Sequence, residues 1–320
     1  MKKPLLLGIV GLLALAGAIV GIVLLNGERS IDEEPDESSS VNEEDIGLVI
    51  PGTWADPDII KLADGTYRLY LGEEPETAGN SLDIFSATSA DGKTWTVNET
   101  PVIRGGTFPD AVQLIDGKIR ITYQSAGTLV SALSQDGVNF TKEGGARITS
   151  ELPTEAENVR APTTIRLSDG TFRLVYVGVQ AGPGSSTAIN PEITTFLSAT
   201  SDNGTAYTGK TAFLAGSGLP FDGFIDGPDL FFDTTGKLHL RFWTSAGRAN
   251  VDDAGQYEMI SDDEGETWTK PVKFYPSADP KNPKGILGGD PTYLVEGTQL
   301  FMYYTIRGEG AYLKIFDSGW

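Results

Sequence analysis

The feature that most constrains this chain is a unit that recurs five times within residues 46–320. Each unit begins at a proline, runs through an apolar alternation, turns at a glycine and continues into a stretch rich in aromatic and β-branched residues. The starts are Pro57, Pro109, Pro162, Pro228 and Pro291, spaced 52, 53, 66 and 63 residues apart. In the first unit Asp56-Pro57-Asp58-Ile59-Ile60-Lys61-Leu62 leads through Asp64-Gly65 into Tyr67-Arg68-Leu69-Tyr70. The turn recurs at Asp116-Gly117, Asp169-Gly170, Thr235-Gly236 and Glu296-Gly297. Alternation of period two gives each stretch one buried face, and the glycine supplies the positive φ of a tight turn, so each unit predicts a β-hairpin. A hairpin cannot bury its apolar face alone, so the copies must stack.

Four of the five hairpins are followed by a second recurring element. It reads Ser89-Ala90-Asp91-Gly92 with Trp95, Ser134-Gln135-Asp136-Gly137 with Phe140, Ser201-Asp202-Asn203-Gly204 with Tyr207, and Ser261-Asp262-Asp263-Glu264-Gly265 with Trp268. These stretches resemble the Asp-box of sialidases and related propellers. The resemblance implies a turn between the two outer strands of each sheet, with the aromatic ring set between neighbouring sheets, a structural role away from the active site. Hairpin plus turn gives four strands per unit, and the 275 residues divide into five units of about 55, the size of a propeller blade. The fold expected is all-β, a five-bladed β-propeller over 46–320. The last unit has only three strands of its own before Trp320, so Ile46–Ile50 is expected to supply the fourth and close the ring.

Ahead of the propeller, Lys2 and Lys3 precede an uncharged run over 4–25, long enough as a helix to cross a bilayer. Residues 1–26 are thus expected to form one N-terminal transmembrane helix, a single-pass anchor in the cell membrane, with the C-terminal domain extracellular. Cleavage after Ala14-Leu15-Ala16 is the alternative, which would release a secreted protein. Residues 27–45 contain nine acidic residues and one Arg between Glu28 and Asp45 and almost nothing apolar, the composition of an extended disordered linker. A net charge of −20 excludes nucleic acid as a partner. With no cysteine, thiol chemistry is excluded, and a single histidine, His239, rules out a multi-histidine metal site and argues against a serine triad, which leaves acid-base work mainly to carboxylates.

First strands of propeller blades line the central channel, so residues beside the five prolines should converge on one acidic mouth: Asp56 and Asp58, Asp110, Asp226 and Asp229, and Asp290, with Arg160 and Thr163 from the third blade. An Asp beside a Pro is also an ordinary turn former. Carboxylates crowded around one axis call for a substrate, a cation or altered pKa values, and a structural calcium ion near the axis is one expectation. Trp54-Ala55-Asp56-Pro57-Asp58, followed by Asp64-Gly65-Thr66-Tyr67-Arg68-Leu69-Tyr70, resembles the opening blade of glycoside hydrolase family 43, the arabinanase, xylosidase and fructosidase group. Phe108-Pro109-Asp110 resembles that family's second-blade element. The resemblance implies Asp56 as general base and Asp226, two residues before Pro228, as general acid. The family has Glu at the latter position, and an Asp before the third-blade Pro where this chain has Ala161. With that Asp missing, Asp110 is nominated as the carboxylate beside the acid.

Trp54 and Trp243 are candidate sugar platforms. Asp58, Arg160, Asp229, Arg248 and Asp290 complete the expected substrate-binding set, and no metal ligands are assigned. In Lys237-Leu238-His239-Leu240-Arg241-Phe242-Trp243, alternation puts His239, Arg241 and Trp243 on one strand face, which makes His239 a sheet residue. Loops over 179–190, 245–256 and 276–289 are expected to roof the funnel. Two functions are open on the sequence: a membrane-anchored, extracellular glycoside hydrolase acting on a poly- or oligosaccharide, or a non-catalytic propeller of the cell envelope binding an envelope glycan or protein. A purely structural envelope component would need only the anchor and the rim.

Overall fold

The computed structural model describes residues 42–74, 82–181, 192–216, 224–244, 255–276, 290–306 and 308–320. The expected membrane segment and most of the acidic linker lie outside them, as do Arg248 and most of the three candidate roof loops. Among the described residues no helix is long and apolar enough to cross a membrane.

The described strands form five antiparallel sheets, one per repeat. The ring is closed by β1 (Glu43–Pro51), which precedes the first blade and joins the last. Blade one comprises β2 (Trp54–Lys61), β3 (Tyr67–Glu73), β4 (Asp83–Ser89) and β5 (Thr96–Val97), with β6 (Ile103–Arg104) also on β4. Blade two comprises β7 (Thr107–Gln113), β8 (Ile119–Ser125), β9 (Thr128–Ser134) and β10 (Phe140–Lys142). A 3-10 turn, Pro153–Glu155, leads to blade three: β11 (Asn158–Arg166), β12 (Phe172–Ala181), β13 (Glu192–Ser201) and β14 (Thr208–Ala215). Blade four is β15 (Asp226–Phe232), β16 (Leu238–Thr244), β17 (Gly255–Ser261) and β18 (Val272–Pro276). Blade five is β19 (Thr292–Glu296), β20 (Gln299–Ile306) and β21 (Gly310–Asp317), completed by β1.

The closing strand runs antiparallel to β21, from Glu43 opposite Phe316 to Pro51 opposite Gly310. It starts three residues before the expected Ile46, and the reason is electrostatic. Lys314 of β21 is fully buried, with its Nζ 3.4 Å from Asp45 and 3.8 Å from Glu43, so the last acidic residues before the propeller are drawn into the sheet.

Each seam between blades has its own apolar cluster. Leu69, Leu71, Tyr303 and Leu313 fill the seam between blades five and one, and Val175, Val177, Leu238 and Leu240 that between three and four. Tyr70 with Ile121 joins blades one and two, Leu129 with Leu174 blades two and three, and Phe231 with Met302 blades four and five. The two faces of each sheet therefore serve two different seams, and stability is distributed around the ring rather than in one centre.

The recurring Ser-containing turns tie these seams at the outer edge. In the first, Ser89 Oγ donates to Asp91 Oδ1, which also accepts the amides of Lys93 and Thr94 at 2.8 and 2.7 Å. The other three repeat the pattern around Asp136, Asn203 and Asp263. Each turn meets the second strand of the preceding blade. Tyr303 Oη donates to Gly92 O at 2.6 Å, Tyr70 Oη to Gly137 O at 3.1 Å, and Arg120 to Asn203 O at 2.9 Å. Two of the aromatic rings follow the same rule, Trp95 against Tyr303 and Phe140 against Tyr70, while Trp268 stacks on Phe213 of the outermost strand of the preceding blade. His239 is buried in its strand between Asp233 and Glu258, as the alternation predicts.

Candidate active site at the five-proline mouth

The five prolines hold one conformation. The residue before each has positive φ: Asp56 at 47°, Phe108 at 50°, Ala161 at 45°, Gly227 at 55° and Asp290 at 59°. Four of these are not glycine, and a non-glycine residue held there stores roughly 1–3 kcal/mol of strain. In blades one to four the strand register slips at the same place, between Ala55 and Asp58, Thr107 and Asp110, Arg160 and Thr163, and Asp226 and Asp229. The first four prolines thus sit on β-bulges, which redirect the side chains beside them. As a result the residues around each proline fall into distinct tiers.

The residues that follow the prolines form a closed hydrogen-bonded ring. Asp58 accepts the Ala111 amide at 2.8 Å, and Asp110 accepts the Thr164 amide at 2.9 Å. Thr163 Oγ1 accepts the Leu230 amide at 3.0 Å, Asp229 accepts the Tyr293 amide at 2.6 Å, and Thr292 Oγ1 accepts the Ile59 amide at 3.3 Å. Every blade holds the next by the same bond, and the fifth holds the first. Burial pushes Asp110 and Asp229 up to about 7, and burial followed by repulsion from Asp110 and Asp229 raises Asp58 well above the usual carboxylate range. These acids are members of the ring that locks the propeller, each engaged with a neighbouring backbone. Among the described residues no three acidic or histidine side chains come together as a set that could hold a metal ion.

The residues one and two places before the prolines make up the other tiers. Asp56, Phe108, Ala161, Gly227 and Asp290 border a narrow axial opening of about 30 Å³, floored by Asp58, Asp229 and Thr292. Here three carboxylates from different blades gather. Asp56 accepts Thr107 Oγ1 at 2.9 Å and lies within hydrogen-bonding reach of Asp290. Asp290 accepts the indole N–H of Trp243. Asp226 is ion-paired with Arg160, Nη2 to Oδ2 at 2.7 Å, and its Oδ1 accepts the Gly227 amide at 3.0 Å. Arg160 also lies over the Phe224 ring, which meets Trp243 edge-on. Gly227 is required twice over, because its φ is positive and a Cβ there would collide with the backbone and carboxyl of Asp290. Burial raises Asp56. Burial, then the charges of Asp226 and Asp56, raise Asp290 well above its ordinary value.

The structure therefore brings Asp56, Asp226, Asp290, Arg160 and Trp243 together and sets Asp58, Asp110 and Asp229 in the ring. Trp54 is turned toward the closing strand: its indole N–H donates to Pro51 O at 3.1 Å and its ring meets Phe85 edge-on. Thr107, two places before Pro109, is a contact the sequence reading did not single out. Its offset matches that of Arg160 and Asp226, and aligning the five units on their prolines exposes it.

No family model matches the sequence, and no curated protein matches it. Solved structures do. A thermostable family-43 glycoside hydrolase aligns with a TM-score of 0.62 at 14% identity, over 82% of this chain and 88% of its own. A glycosyl hydrolase from Bacteroides ovatus aligns at 0.61 and 12% identity, over 89% and 93%. A family-130 structure, from a family of mannoside phosphorylases containing hydrolases that target β-1,2 mannosidic linkages in Candida mannan, aligns at 0.61 and 14% identity, over 84% and 85%. The chain shares with these glycoside hydrolases the five-bladed β-propeller fold.

Proposed function

We propose that this protein is a glycoside hydrolase that cleaves a poly- or oligosaccharide at the five-proline mouth by a two-carboxylate mechanism, from a position anchored at the outer face of a cell membrane. The observation that carries the reading is a group of three buried carboxyls from blades one, four and five: Asp56 and Asp290 border the axial opening, and Asp226, held on Arg160, lies close enough for its charge to act on both. Glycosidic cleavage needs one group to protonate the leaving oxygen and another to activate water or attack the anomeric carbon, and two acids at one mouth supply both. Ala161 leaves the third blade without a carboxylate there, and Asp290 from the fifth blade supplies one instead. Trp243, with its N–H on Asp290, is the better-placed sugar platform of the two tryptophans.

The electrostatics favour water over phosphate as the attacking group. Among the described residues this mouth sets three carboxylates against one guanidinium, already paired with Asp226, and that field repels a phosphate dianion. The reading is tested by reducing-sugar release from a panel of plant, fungal and bacterial polysaccharides. The wild type is expected to act on at least one, with Asp56→Asn and Asp226→Asn each folded and at least about 10²-fold slower. Saturable binding of the same glycan without turnover by the wild type would replace the hydrolase with a binding module.

A further inference from the structure

The second strands of blades one to three carry an arginine at the same place, three residues after the turn glycine: Arg68, Arg120 and Arg173. In blade two the guanidinium is engaged on all three nitrogens. Arg120 donates Nε and Nη2 to the two carboxylate oxygens of Glu143, at 2.8 and 3.1 Å, and Nη1 to Asn203 O of the next blade. Ser131 Oγ donates to the same carboxylate, and the Glu143 amide bonds Ser131 O across the sheet edge. In blade three Ser198 precedes the turn serine by three residues, as Ser131 does, and the residue opposite it is Thr211. Thr211 thus stands where blade two has its carboxylate.

Arg173 is left with an incomplete edge. Its Nη1 donates to Ser198 Oγ at 3.1 Å and its Nη2 to Oε1 of Glu266, from the Ser-containing turn of blade four, while Nε is buried with no hydrogen-bond partner. The edge that holds two bonds on Arg120 holds one here. Arg68 also lacks a partner on Nε, with Asn98 at the place of Glu143, but it keeps the bond to the next blade's turn, Nη1 to Gly137 O. The fourth turn is one residue longer, and Arg173 meets Glu266 there instead. The Arg173 side chain is 6% exposed and that of Glu266 is 71% exposed, so a buried cation is held by a carboxylate that water readily draws away. A cavity of about 210 Å³ opens onto this edge, between Thr211 and Phe213 of β14 and Glu266 and Trp268 of blade four. Phe213 and Trp268 stack in it, their planes 17° apart. Gly265 keeps Nε reachable, because a Cβ there would lie 2.9 Å from it.

We propose that this seam between blades three and four binds a glycan through a uronic acid residue, whose carboxylate replaces that of Glu266 and takes Nε and Nη2 of Arg173 together. Glu266 Oε1 stands in for one ligand oxygen. Tethered in its turn, Glu266 reaches only Nη2, whereas a free carboxylate takes the whole edge, as Glu143 does on Arg120. The Phe213 and Trp268 rings supply an apolar face for the sugar, and Thr200 and Thr211 supply hydroxyls. The cavity is smaller than the roughly 300–1,000 Å³ of a drug-sized pocket, which limits the occupant to about one ring. A net charge of −20 disfavours a polyuronate and favours a glycan with isolated uronic acid residues. The site lies on the outer strands and requires no chemistry at the five-proline mouth.

Isothermal titration calorimetry on the full chain at neutral pH, with methyl glucuronide, methyl glucoside and acetate as probes, tests it. Methyl glucuronide should bind saturably and at least about tenfold more tightly than either of the others, through its charge-assisted bonds and its ring together. Thr211→Glu returns to Arg173 the carboxylate that blade two has, and should weaken glucuronide binding at least about tenfold while thermal stability is kept. Glu266→Gln removes the competing carboxylate and should tighten binding. Arg173→Gln should abolish it, and if that variant does not fold, Thr211→Glu carries the test, since Thr211 is exposed. Asp56→Asn at the mouth should bind the glucuronide as the wild type does, whether or not the mouth cleaves glycans. Equal affinity for glucuronide and glucoside overturns the carboxylate, and equal affinity for glucuronide and acetate overturns the sugar. Binding that Thr211→Glu leaves unchanged, or that Asp56→Asn removes, places the ligand elsewhere and overturns the site. So does the absence of glucuronide binding in both wild type and Glu266→Gln.

Discussion

The ring of residues that follow the prolines makes a quantitative prediction about pH, and Asp110→Asn isolates it. Asparagine keeps an oxygen to accept the Thr164 amide that Asp110 accepts at 2.9 Å, so the bond between blades two and three survives, and only the ability to ionise is lost. The Asp110 carboxyl is 5% exposed and is raised from its ordinary 3.8 to about 7, chiefly by burial. A carboxyl raised in the folded state contributes stability that is fully present below the unfolded value and is lost as pH rises through the folded value. Between pH 5 and pH 7 the unfolded chain is ionised here while the folded one keeps its proton, and each pH step costs about 1.4 kcal/mol, roughly 3 kcal/mol across the window. Asp110→Asn should abolish that share. Urea unfolding followed by tryptophan fluorescence should give a variant within about 1 kcal/mol of wild type at pH 5 but more stable by roughly 2–3 kcal/mol at pH 8. Relief of the repulsion that Asp110 exerts on Asp58 adds in the same direction. An equal loss of stability at both pH values, with the wild-type slope intact, would refute the reasoning.

Other predictions follow from single contacts. Gly227→Ala should destabilise by at least about 2 kcal/mol, from positive φ and collision with Asp290, as thermal unfolding will show. Arg160→Gln strips the ion pair from a buried Asp226 and should cost roughly 3–5 kcal/mol in urea unfolding. Tyr303→Phe removes the 2.6 Å bond to Gly92 O and should cost about 1 kcal/mol while leaving the axial site untouched, which ligand binding or activity at wild-type level would verify. The proposed anchor predicts that the full chain stays with membranes after a high-salt wash. A mature N-terminus at Gly17 would point to cleavage instead.

Much of the fold can be read in the sequence because it is repetitive. Five prolines, five glycine turns and four Ser-containing turns recur in step, and each copy is a local device whose geometry its own residues dictate. The closing strand is legible for a different reason: the last unit is one strand short, and an apolar stretch waits at the start of the domain. Its true beginning at Glu43 is not legible, since it depends on Lys314, which lies far along the chain. The site is only partly legible. Sequence reasoning gathers every Asp beside a proline at one mouth, because adjacency to the proline is all it can see. Position relative to the proline separates them: Asp56 and Asp290, just before a proline, reach the opening, and Asp58, Asp110 and Asp229, just after one, reach backbone amides of the next blade. The Arg160–Asp226 and Asp56–Asp290 contacts join different blades, and no local pattern announces such pairs. Trp54 shows the same limit, since its orientation is set by Pro51 and Phe85 rather than by the aspartate two positions away.

The central claim is that the five-proline mouth is where a glycan is cleaved, and a crystal structure of Asp56→Asn with an oligosaccharide substrate tests it most directly. The account predicts a sugar ring against Trp243 and the scissile bond lying between residue 56 and Asp226. A glycan seated on the outer edge of the blades, with the mouth between Asp56, Asp226 and Asp290 empty, would contradict it.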